Sequence, residues 1–330
     1  MRDLEPWTRI LHEATRAPSP HNTQPWRVRL IDPAHAELFL DAERLMPDED
    51  PTGCFVVSAA GVFIEAVSLL CANHGLRLET HLYDISLDQP MIPIARLTLV
   101  DSCDVIGDPS LTKRLATRRT SRLPHRGQTI TSKSSNQLAS LAEQYGQCFE
   151  FTAEQNKIAQ MMARNTQAIT DDMNNRAYQK EFVGWLRSKR AAKETRDGLA
   201  KQNMRVGLLD EFILRHTPWV LRLPLLHVLI AKRYDRLLGQ TDHIGWFTGP
   251  FWEYDQAVAA GRFLLRYWLM LDQMGMGMHP LGNLATNPEA EAWFTDRFTG
   301  GRRPWLIFRF GSTSTPPSSY RLPLKEVLLD

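Results

Sequence analysis

The sequence lacks several features that would assign it at once to a class of protein. Its four cysteines have no metal-ligand spacing and are too few to hold together 330 residues, so they favour a reducing compartment and predict a cytoplasmic location. Basic and acidic side chains number 39 and 37, which gives no overall attraction to nucleic acid or to an anionic membrane. Walker sequences, nucleophile elbows and metal-ligand clusters are missing. We therefore expect a small-molecule partner, with no metal, nucleic acid or membrane.

Long apolar runs are also interrupted. Residues 54–76 are mostly apolar but carry Glu65 near their centre, and residues 218–230 contain Arg222 and Pro224. Charged groups inside a membrane span are costly, so both runs are better explained as buried helices. With 43% apolar and 23% charged residues, the composition is that of a globular protein with a large core.

An internal repeat is present at an offset of 200 residues. Ala60-Gly61-Val62-Phe63 aligns with Ala260-Gly261-Arg262-Phe263, and Gly75 aligns with Gly275. Each segment predicts a helix that is apolar around most of its circumference and ends at a glycine, which is typical of a helix buried on all sides. Strands are predicted downstream, over 94–100 in the first copy and 305–310 in the second.

Residues of about 150–250 have no counterpart in this repeat. The range 153–193 contains no proline and many helix formers, so it predicts one or two long helices. Prolines at 218 and 224 and glycines at 239, 245 and 249 predict a loop-rich stretch after them. Such an insertion can form a lid or a pocket wall, or it can be a purely structural addition.

The most specific string is RAPSPHNTQPWR, residues 16–27. Its prolines predict a stiff extended loop, which leads into a strand over 26–30. A stiff loop can hold the polar side chains of Ser19, Asn22 and Gln24 in fixed positions, where they suit the edge of a flat heteroaromatic ring. The alternative interpretation is a simple connector.

A second string, RRTSR at 118–122, lies in a segment with five arginines between Arg114 and Arg126. Paired arginines followed by a hydroxyl group offer charge-assisted donors that match phosphate oxygens. A solvated surface or a patch for polyanions would have the same composition.

The first string resembles the A-P-S-x-x-N-x-Q-P-W signature of the FMN-dependent nitroreductase superfamily, and seven of its fixed positions are present. The second resembles the R-R-S/T-x-R element of that family. The resemblance implies FMN as cofactor, with the first string on the isoalloxazine ring and the second on the phosphate and ribityl chain. The implied residues are Ser19, His21, Asn22, Gln24, Arg118, Arg119, Thr120 and Arg122.

In single-module members of this family the two elements occur in the opposite order. The chain therefore resembles the two-module, Acg-type branch, with one module over 1–108 and another over 109–330 that contains the helical lid insertion. This resemblance implies an α+β nitroreductase-like fold of two fused modules, with central buried helices and mainly antiparallel sheets. The chain would form an internal pseudo-dimer, either as a monomer or within a homodimer.

Two further segments fit this resemblance. Residues 279–283 resemble the family segment whose backbone approaches the flavin, which implies contacts from Pro280, Leu281 and Gly282, although a simple helix-to-strand loop is an alternative. The tail around Arg321 resembles the family's R-x-P-L element and implies another phosphate ligand.

The implied activity is hydride transfer from NAD(P)H through the flavin to an aromatic, nitro or quinone-like acceptor. Two alternatives stay open: non-catalytic flavin binding, storage or sequestration under a closed lid, and a specialised flavin oxidase or dehydrogenase. The sequence assigns no catalytic acid or base.

Overall fold

The computed structural model describes residues 4–102, 104–127, 130–205, 207, 236 and 238–330. Helices α1 to α11 of these residues span Glu5–Ala14, Cys54–Ala72, Pro109–Thr117, Ser132–Gln144, Gln155–Asn174, Arg176–Trp185, Lys189–Thr195, Lys201–Met204, Tyr254–Gln273, Asn283–Thr286 and Pro288–Phe298. Strands β1 to β11 span Trp26–Leu30, His35–Asp41, Leu76–Leu82, Met91–Asp101, Cys148–Thr152, Leu186–Arg187, Leu199–Ala200, His243–Thr248, Met276–Pro280, Pro304–Ser312 and Leu328–Leu329. The part of the predicted loop-rich stretch that contains Pro218 and Pro224 lies outside the described residues.

The strands form two main sheets. One has the order β11-β1-β2-β4-β3, and the other has the order β5-β8-β10-β9. All neighbours in these two sheets are antiparallel except β1 and β11, which pair in parallel with Val28 opposite Leu328. The first sheet therefore receives an edge strand from a segment 300 residues further along the chain. A short parallel pair, β6 and β7, lies apart from them.

Helices α2 and α9 cross at the centre of the molecule, where two glycines allow their backbones to touch. A Cβ atom on Gly61 would lie 1.9 Å from the carbonyl oxygen of Val258, and one on Gly261 would lie 2.0 Å from that of Ser58. The two contacts are related by the same 200-residue offset as the sequence repeat. The crossing therefore has an internal two-fold symmetry, and only glycine fits at its two contact points.

A buried charge crosses the same interface. The carboxylate of Glu65, which is fully buried, accepts hydrogen bonds from Arg262 Nε at 2.8 Å and from Arg266 Nε. Two charge-assisted bonds satisfy a group that would be costly to bury alone. The charge that argues against a membrane span in residues 54–76 is thus part of the contact between the central helices.

The sequence predicted the positions of the main elements better than their ends. The central helices begin at Cys54 and Tyr254, six residues before the aligned Ala60 and Ala260, and each is followed by a left-handed glycine, Gly75 or Gly275. Strands β3 and β9, which start directly after these glycines, were not predicted. Of the segment 279–283, residues 279 and 280 end β9, and residue 283 begins α10.

The insertion is shorter than its predicted limits. Residues 148–152 and 243–248 form β5 and β8 of the second sheet, so Gly245 lies in a buried strand and not in a loop. It stands between the rings of Phe149 and Phe308, where an added Cβ would lie within about 3 Å of both. Between these strands, the range 153–193, predicted to form one or two long helices, contains α5 with 20 residues and α6 with 10.

Among the described residues, α2 alone is long and apolar enough to cross a membrane by length and composition. Of its apolar window, 89% is buried inside the fold. The interpretation of this run as a core helix agrees with that burial.

Candidate functional site

The loop before β1 has a strained backbone. His21, Asn22 and Gln24 all have positive φ angles, of 46°, 57° and 50°. Non-glycine residues adopt this region at a cost, and they keep it only where the surrounding structure imposes it. The predicted ring-contacting loop is therefore held in place by the rest of the fold.

Hydrogen bonds to distant segments provide this constraint. Asn22 Nδ2 donates to the carbonyl oxygens of Gly198, at 3.3 Å, and Tyr320, at 3.2 Å. Gln24 is fully buried; its Nε2 donates to Arg196 O at 2.9 Å, and its Oε1 accepts from Leu322 N at 2.8 Å.

These two side chains therefore join the loop to the insertion and to the tail. Ser19 Oγ also accepts a hydrogen bond within the loop, from Gln24 N at 2.9 Å. Their predicted contacts with a ring stay predictions, because the polar groups described here already bond to the chain.

Arg118 marks a cationic end of the candidate site. It is 4% exposed, and its guanidinium group lies 4.3 Å from the ring centroid of Trp268. Within the part of the chain that the structure describes, its Nε and Nη1 atoms have no hydrogen-bond partner. Burial, opposed by the charge of nearby Asp272, lowers its pKa to about 10.

Arg321 approaches the same place from the tail. Its Nη1 donates to Asn22 Oδ1 at 2.8 Å, and its Nη2 donates to the carbonyl oxygen of Arg16 at 3.3 Å, while its Nε lacks a partner among the described residues. Burial and the charges of Arg118, Arg16 and Arg119 lower the pKa of Arg321 to about 9.

The charges of Arg16, Arg118 and Arg119 all act on Arg321, and we call these four arginines the cationic end. Three of these four were predicted from the sequence. Arg16 was missed as a phosphate neighbour, although it directly precedes the loop motif. Such an arrangement, with unpartnered N–H groups and one nearby carboxylate, suits a doubly charged anion such as a phosphate monoester.

Thr120 and Ser121, which continue the arginine element, lie beside β9. Thr120 forms a parallel bridge with Met278, and the N–H of Ser121 donates to the carbonyl oxygen of Met278 at 3.0 Å. Arg122 lies beyond this point. Burial and then the positive charge of Arg122 lower the pKa values of both His21 and His279, so Arg122 lies near the loop and β9.

Residues 280–282 continue from the end of β9. Leu281 is 2% exposed, and its N–H donates to Ile307 O at 2.8 Å, so this backbone group is taken by β10. Pro280 is half-buried and Gly282 is exposed. Asn283, the next residue, begins α10 and donates from Nδ2 to both Asp172 Oδ2 and the Tyr178 hydroxyl, each at 2.8 Å.

A group of titratable residues around His21 was not predicted from the sequence. His21 Nε2 lies 3.2 Å from Glu49 Oε2, and the carboxylate of Glu181 accepts hydrogen bonds from the backbone N–H groups of Asp48 and Glu49. Burial and the charge of Glu181 raise the pKa of Glu49 to about 8. We call His21, Glu49, Tyr178 and Asn283 the ring end. Isolated acidic residues give no signal in one sequence, which explains why Glu49 and Glu181 were not predicted.

Two open clefts formed by described residues lie away from the predicted site residues. One, of about 340 Å³, is lined by residues 146–148, 248–249, 252 and 302–303, and another lies along α4. Neither includes a predicted site residue. The candidate site is instead a seam between the loop, the tail, β9 and the insertion.

No family model matches the chain. Two curated relatives, from Mycobacterium tuberculosis strains CDC 1551 / Oshkosh and ATCC 25618 / H37Rv, are each described as a "Putative NAD(P)H nitroreductase". Each is 27% identical over 193 residues, which cover 56% of this chain and 52% of the relative. The chain thus spans about half the length of the curated relatives it matches.

Among solved structures, a "putative nitroreductase" from Anabaena variabilis ATCC 29413 matches 94% of this chain and 88% of its own, with a TM-score of 0.51 and 9% identity. A nitroreductase with bound FMN from Desulfitobacterium hafniense DCB-2 matches 66% of this chain and 96% of its own, at 13% identity and a TM-score of 0.38. The extended match to the Anabaena structure confirms the predicted α+β nitroreductase-like architecture. Part of this chain is therefore similar in sequence to proteins described as nitroreductases, and its fold is nitroreductase-like.

Proposed function

We propose that the chain binds one FMN molecule, with the phosphate at the cationic end and the isoalloxazine at the ring end. The observation that carries this proposal is the cationic end, in which buried N–H groups of Arg118 and Arg321 lack partners among the described residues. Burying such groups without a ligand is costly, and a phosphate would satisfy them. FMN-bound nitroreductases occur among the fold's neighbours.

Each part of the chain has a distinct task in this proposal. Arg118 and Arg321 bind the phosphate, with Arg16 and Arg119 adding positive charge. The strained loop at 19–24 and the segment at 280–282 enclose the ring, while Thr120 and Arg122 run between the two ends. Bound FMN supplies the redox chemistry by accepting and donating hydride. One chain provides both ends, so the site requires no second copy.

The reaction that this site supports best is oxidation of NAD(P)H with reduction of an aromatic, nitro or quinone-like acceptor. The nitroreductase descriptions of the relatives support this reaction class. The chain's own residues would bind and orient the two substrates in turn and exclude water from the ring. Burial keeps His21 neutral and favours the neutral form of Glu49, an arrangement that suits uncharged aromatic acceptors.

A second candidate function is flavin storage or sequestration. It is favoured by the hydrogen bonds and ion pairs that hold the insertion against the loop and its neighbours. Gly198 N donates to Asn22 O at 3.2 Å, and Asp197, which is buried, accepts from Arg44 at 3.1 Å and from Arg187 at 3.0 Å. A site closed in this way would hold the flavin and exclude a nicotinamide.

Anaerobic reduction of the purified holoprotein tests the two candidates. The oxidoreductase predicts that excess NADH or NADPH bleaches the flavin absorption and that a nitroaromatic or a quinone restores it. Full retention of the yellow colour with both nucleotides, while dithionite bleaches it, would favour sequestration. Purification without flavin, and failure to bind added FMN, would contradict both.

A further inference from the structure

One of the two open clefts brings a thiol and two arginines together. The cleft lined by residues 146–148, 248–249, 252 and 302–303, which we call the Cys148 cleft, has a volume of about 340 Å³. It lies where β5 begins, where β8 ends and where residues 302 and 303 precede β10. Small-molecule sites in proteins have volumes of about 300–1,000 Å³, so the cleft is large enough for a small ligand. No residue of the cationic end or of the ring end lines it.

Cys148 differs from the other cysteines that the structure describes. Cys54 and Cys71 are buried, and burial raises the pKa of both thiols, that of Cys71 to about 12. Cys148 is only half-buried and lines the cleft. Reaction of a cysteine requires both access and a supply of the thiolate form. Of these three thiols, Cys148 is therefore the one suited to react with a ligand.

Arg302 is held against the sulfur of Cys148. Its Nη1 donates to Cys148 Sγ at 3.2 Å, while its Nη2 donates to Glu150 Oε2 at 2.6 Å and its Nε donates to the carbonyl oxygen of Thr299 at 3.2 Å. A guanidinium group can only donate, so the sulfur is the acceptor in this contact. An arginine beside a sulfur stabilises the thiolate, which is the nucleophile in thiol–disulfide exchange.

The surface of the cleft carries positive charge. The guanidinium group of Arg303 lies over the ring of Trp252, with 3.4 Å between its central carbon and the ring centroid. Two carboxylates, of Glu150 and Glu291, pair with Arg302 and Arg303, but neither glutamate lines the cleft. A ligand in the cleft therefore meets two guanidinium groups and no carboxylate, which suits a small molecule with carboxylate groups.

Polar groups without partners give independent support. Thr248 lies directly opposite Cys148 in the register of β5 and β8, so the two side chains share one face of the sheet. Thr248 lines the cleft and is 2% exposed, and its hydroxyl group forms no hydrogen bond within the described part of the chain. The indole N–H of Trp252 also has no partner there. Buried polar groups normally have partners, so these two groups indicate a place for a polar ligand.

We propose that the Cys148 cleft is a modification site, in which Cys148 forms a mixed disulfide with an anionic thiol of low molecular weight. The Cys148 thiolate attacks one sulfur of the corresponding small disulfide, whose S–S bond breaks as the new S–S bond forms. The other half leaves as a thiolate and takes up a proton from water. Cys148 is thereby oxidised and the released half is reduced, so the small disulfide is the only oxidant. Arg302 and Arg303 bind the carboxylates of the incoming molecule.

Incubation of the folded protein with glutathione disulfide tests the reaction. Each protein carries Cys103→Ser, because Cys103 lies outside the described residues. Intact and peptide mass spectrometry should find one glutathione per chain, bound at Cys148, and no adduct after the further change Cys148→Ser. No adduct at Cys148, or faster modification of Cys54 or Cys71, would overturn the proposal.

A comparison of two small disulfides tests the role of the positive charge. The rate constant for anionic glutathione disulfide is divided by that for cationic cystamine, and the quotient is compared with the same quotient for a short cysteine peptide. We expect the protein to favour the anionic disulfide by about tenfold at low ionic strength, with the preference falling as salt is added. Equal quotients for the protein and the peptide would contradict the proposal.

Arginine variants assign this preference to the cleft. Arg303→Gln should lower it, Arg303→Lys should retain it, and Arg302→Gln should slow the reaction with both disulfides, because the thiolate loses its partner. Arg297→Gln is the matched control, since Arg297 is exposed and also lies over a tryptophan, Trp293, at 5.4 Å. Circular dichroism verifies that each variant is folded. An unchanged preference in folded Arg303→Gln, or an equal loss in Arg297→Gln, would refute recognition by the cleft.

Discussion

The two ends of the candidate site differ in charge. The cationic end gathers four guanidinium groups and leaves buried N–H groups of Arg118 and Arg321 without partners among the described residues. The ring end contains His21 and Glu49, and burial keeps the first neutral and favours the neutral form of the second. The cationic end therefore suits an anionic group, and the ring end suits an uncharged one.

This difference indicates which part of a ligand each end selects. An incomplete set of donors at the cationic end gives affinity for an anion, because binding removes a cost already present in the folded protein. At the ring end, the contact of His21 with Glu49 and the hydrogen bond from Asn283 to Tyr178 give orientation to these side chains. Substitutions at the two ends should therefore affect different measurements.

The largest expected effect comes from the cationic end. Arg118→Ala combined with Arg321→Ala removes two charge-assisted contacts, each worth about 1.5–3 kcal/mol, so FMN binding should weaken by about 3–6 kcal/mol. Titration with FMN, followed by quenching of flavin fluorescence, measures the change. Arg77→Ala combined with Arg190→Ala is the matched control, because both arginines are exposed and each pairs with a glutamate. Equal losses in the two double variants would place the phosphate elsewhere.

An intermediate effect is expected at the crossing of α2 and α9, the helix whose Trp268 packs against Arg118 of the cationic end. Gly61→Ala would bring a Cβ to 1.9 Å from the carbonyl oxygen of Val258, so the helices must move apart. Overpacking of this kind costs about 1–3 kcal/mol of unfolding free energy, and backbone contacts give way least.

Gly184→Ala provides the control for this substitution. Gly184 lies in α6 with no atom within 4 Å of the added Cβ, so alanine there should stabilise the protein by up to about 1 kcal/mol. Urea unfolding of both variants measures the difference. A Gly61→Ala protein as stable as the wild type would contradict a close backbone contact between Gly61 and Val258.

The effect expected at the ring end depends on pH. The pKa of Glu49 is about 8 in the folded protein and 4.5 as its ordinary value, so between these values the folded state holds a proton that the unfolded state has lost. Stability therefore falls as the pH rises through this window, and Glu49→Gln removes this loss. The variant should gain on the wild type by at most about 1.4 kcal/mol per pH unit. Thermal unfolding at pH 5 and pH 8.5 measures the gain; a constant difference would contradict a neutral Glu49.

The sequence predicted the central helices, the loop motif and the arginine element, because each has a local pattern: a continuous apolar surface, closely spaced prolines or paired arginines. It did not predict β3, nor β9, whose five residues include a glycine and a proline, nor the contacts of Glu49 with His21 and of Tyr178 with Asn283. These partners are more than 25 positions apart, and one sequence contains no signal for such contacts. The module boundary near residue 108 and the assigned ligand contacts stay predictions.

The pairing of β11 with β1 also affects the timing of folding. Residues 320–329 supply the edge strand of the first sheet and hydrogen bonds to Asn22 and Gln24. At about 5–20 residues per second, a ribosome needs roughly 15–60 s to synthesise the 300 residues between them. During that interval the nascent first sheet exposes the edge of β1, which makes it a candidate substrate for chaperones.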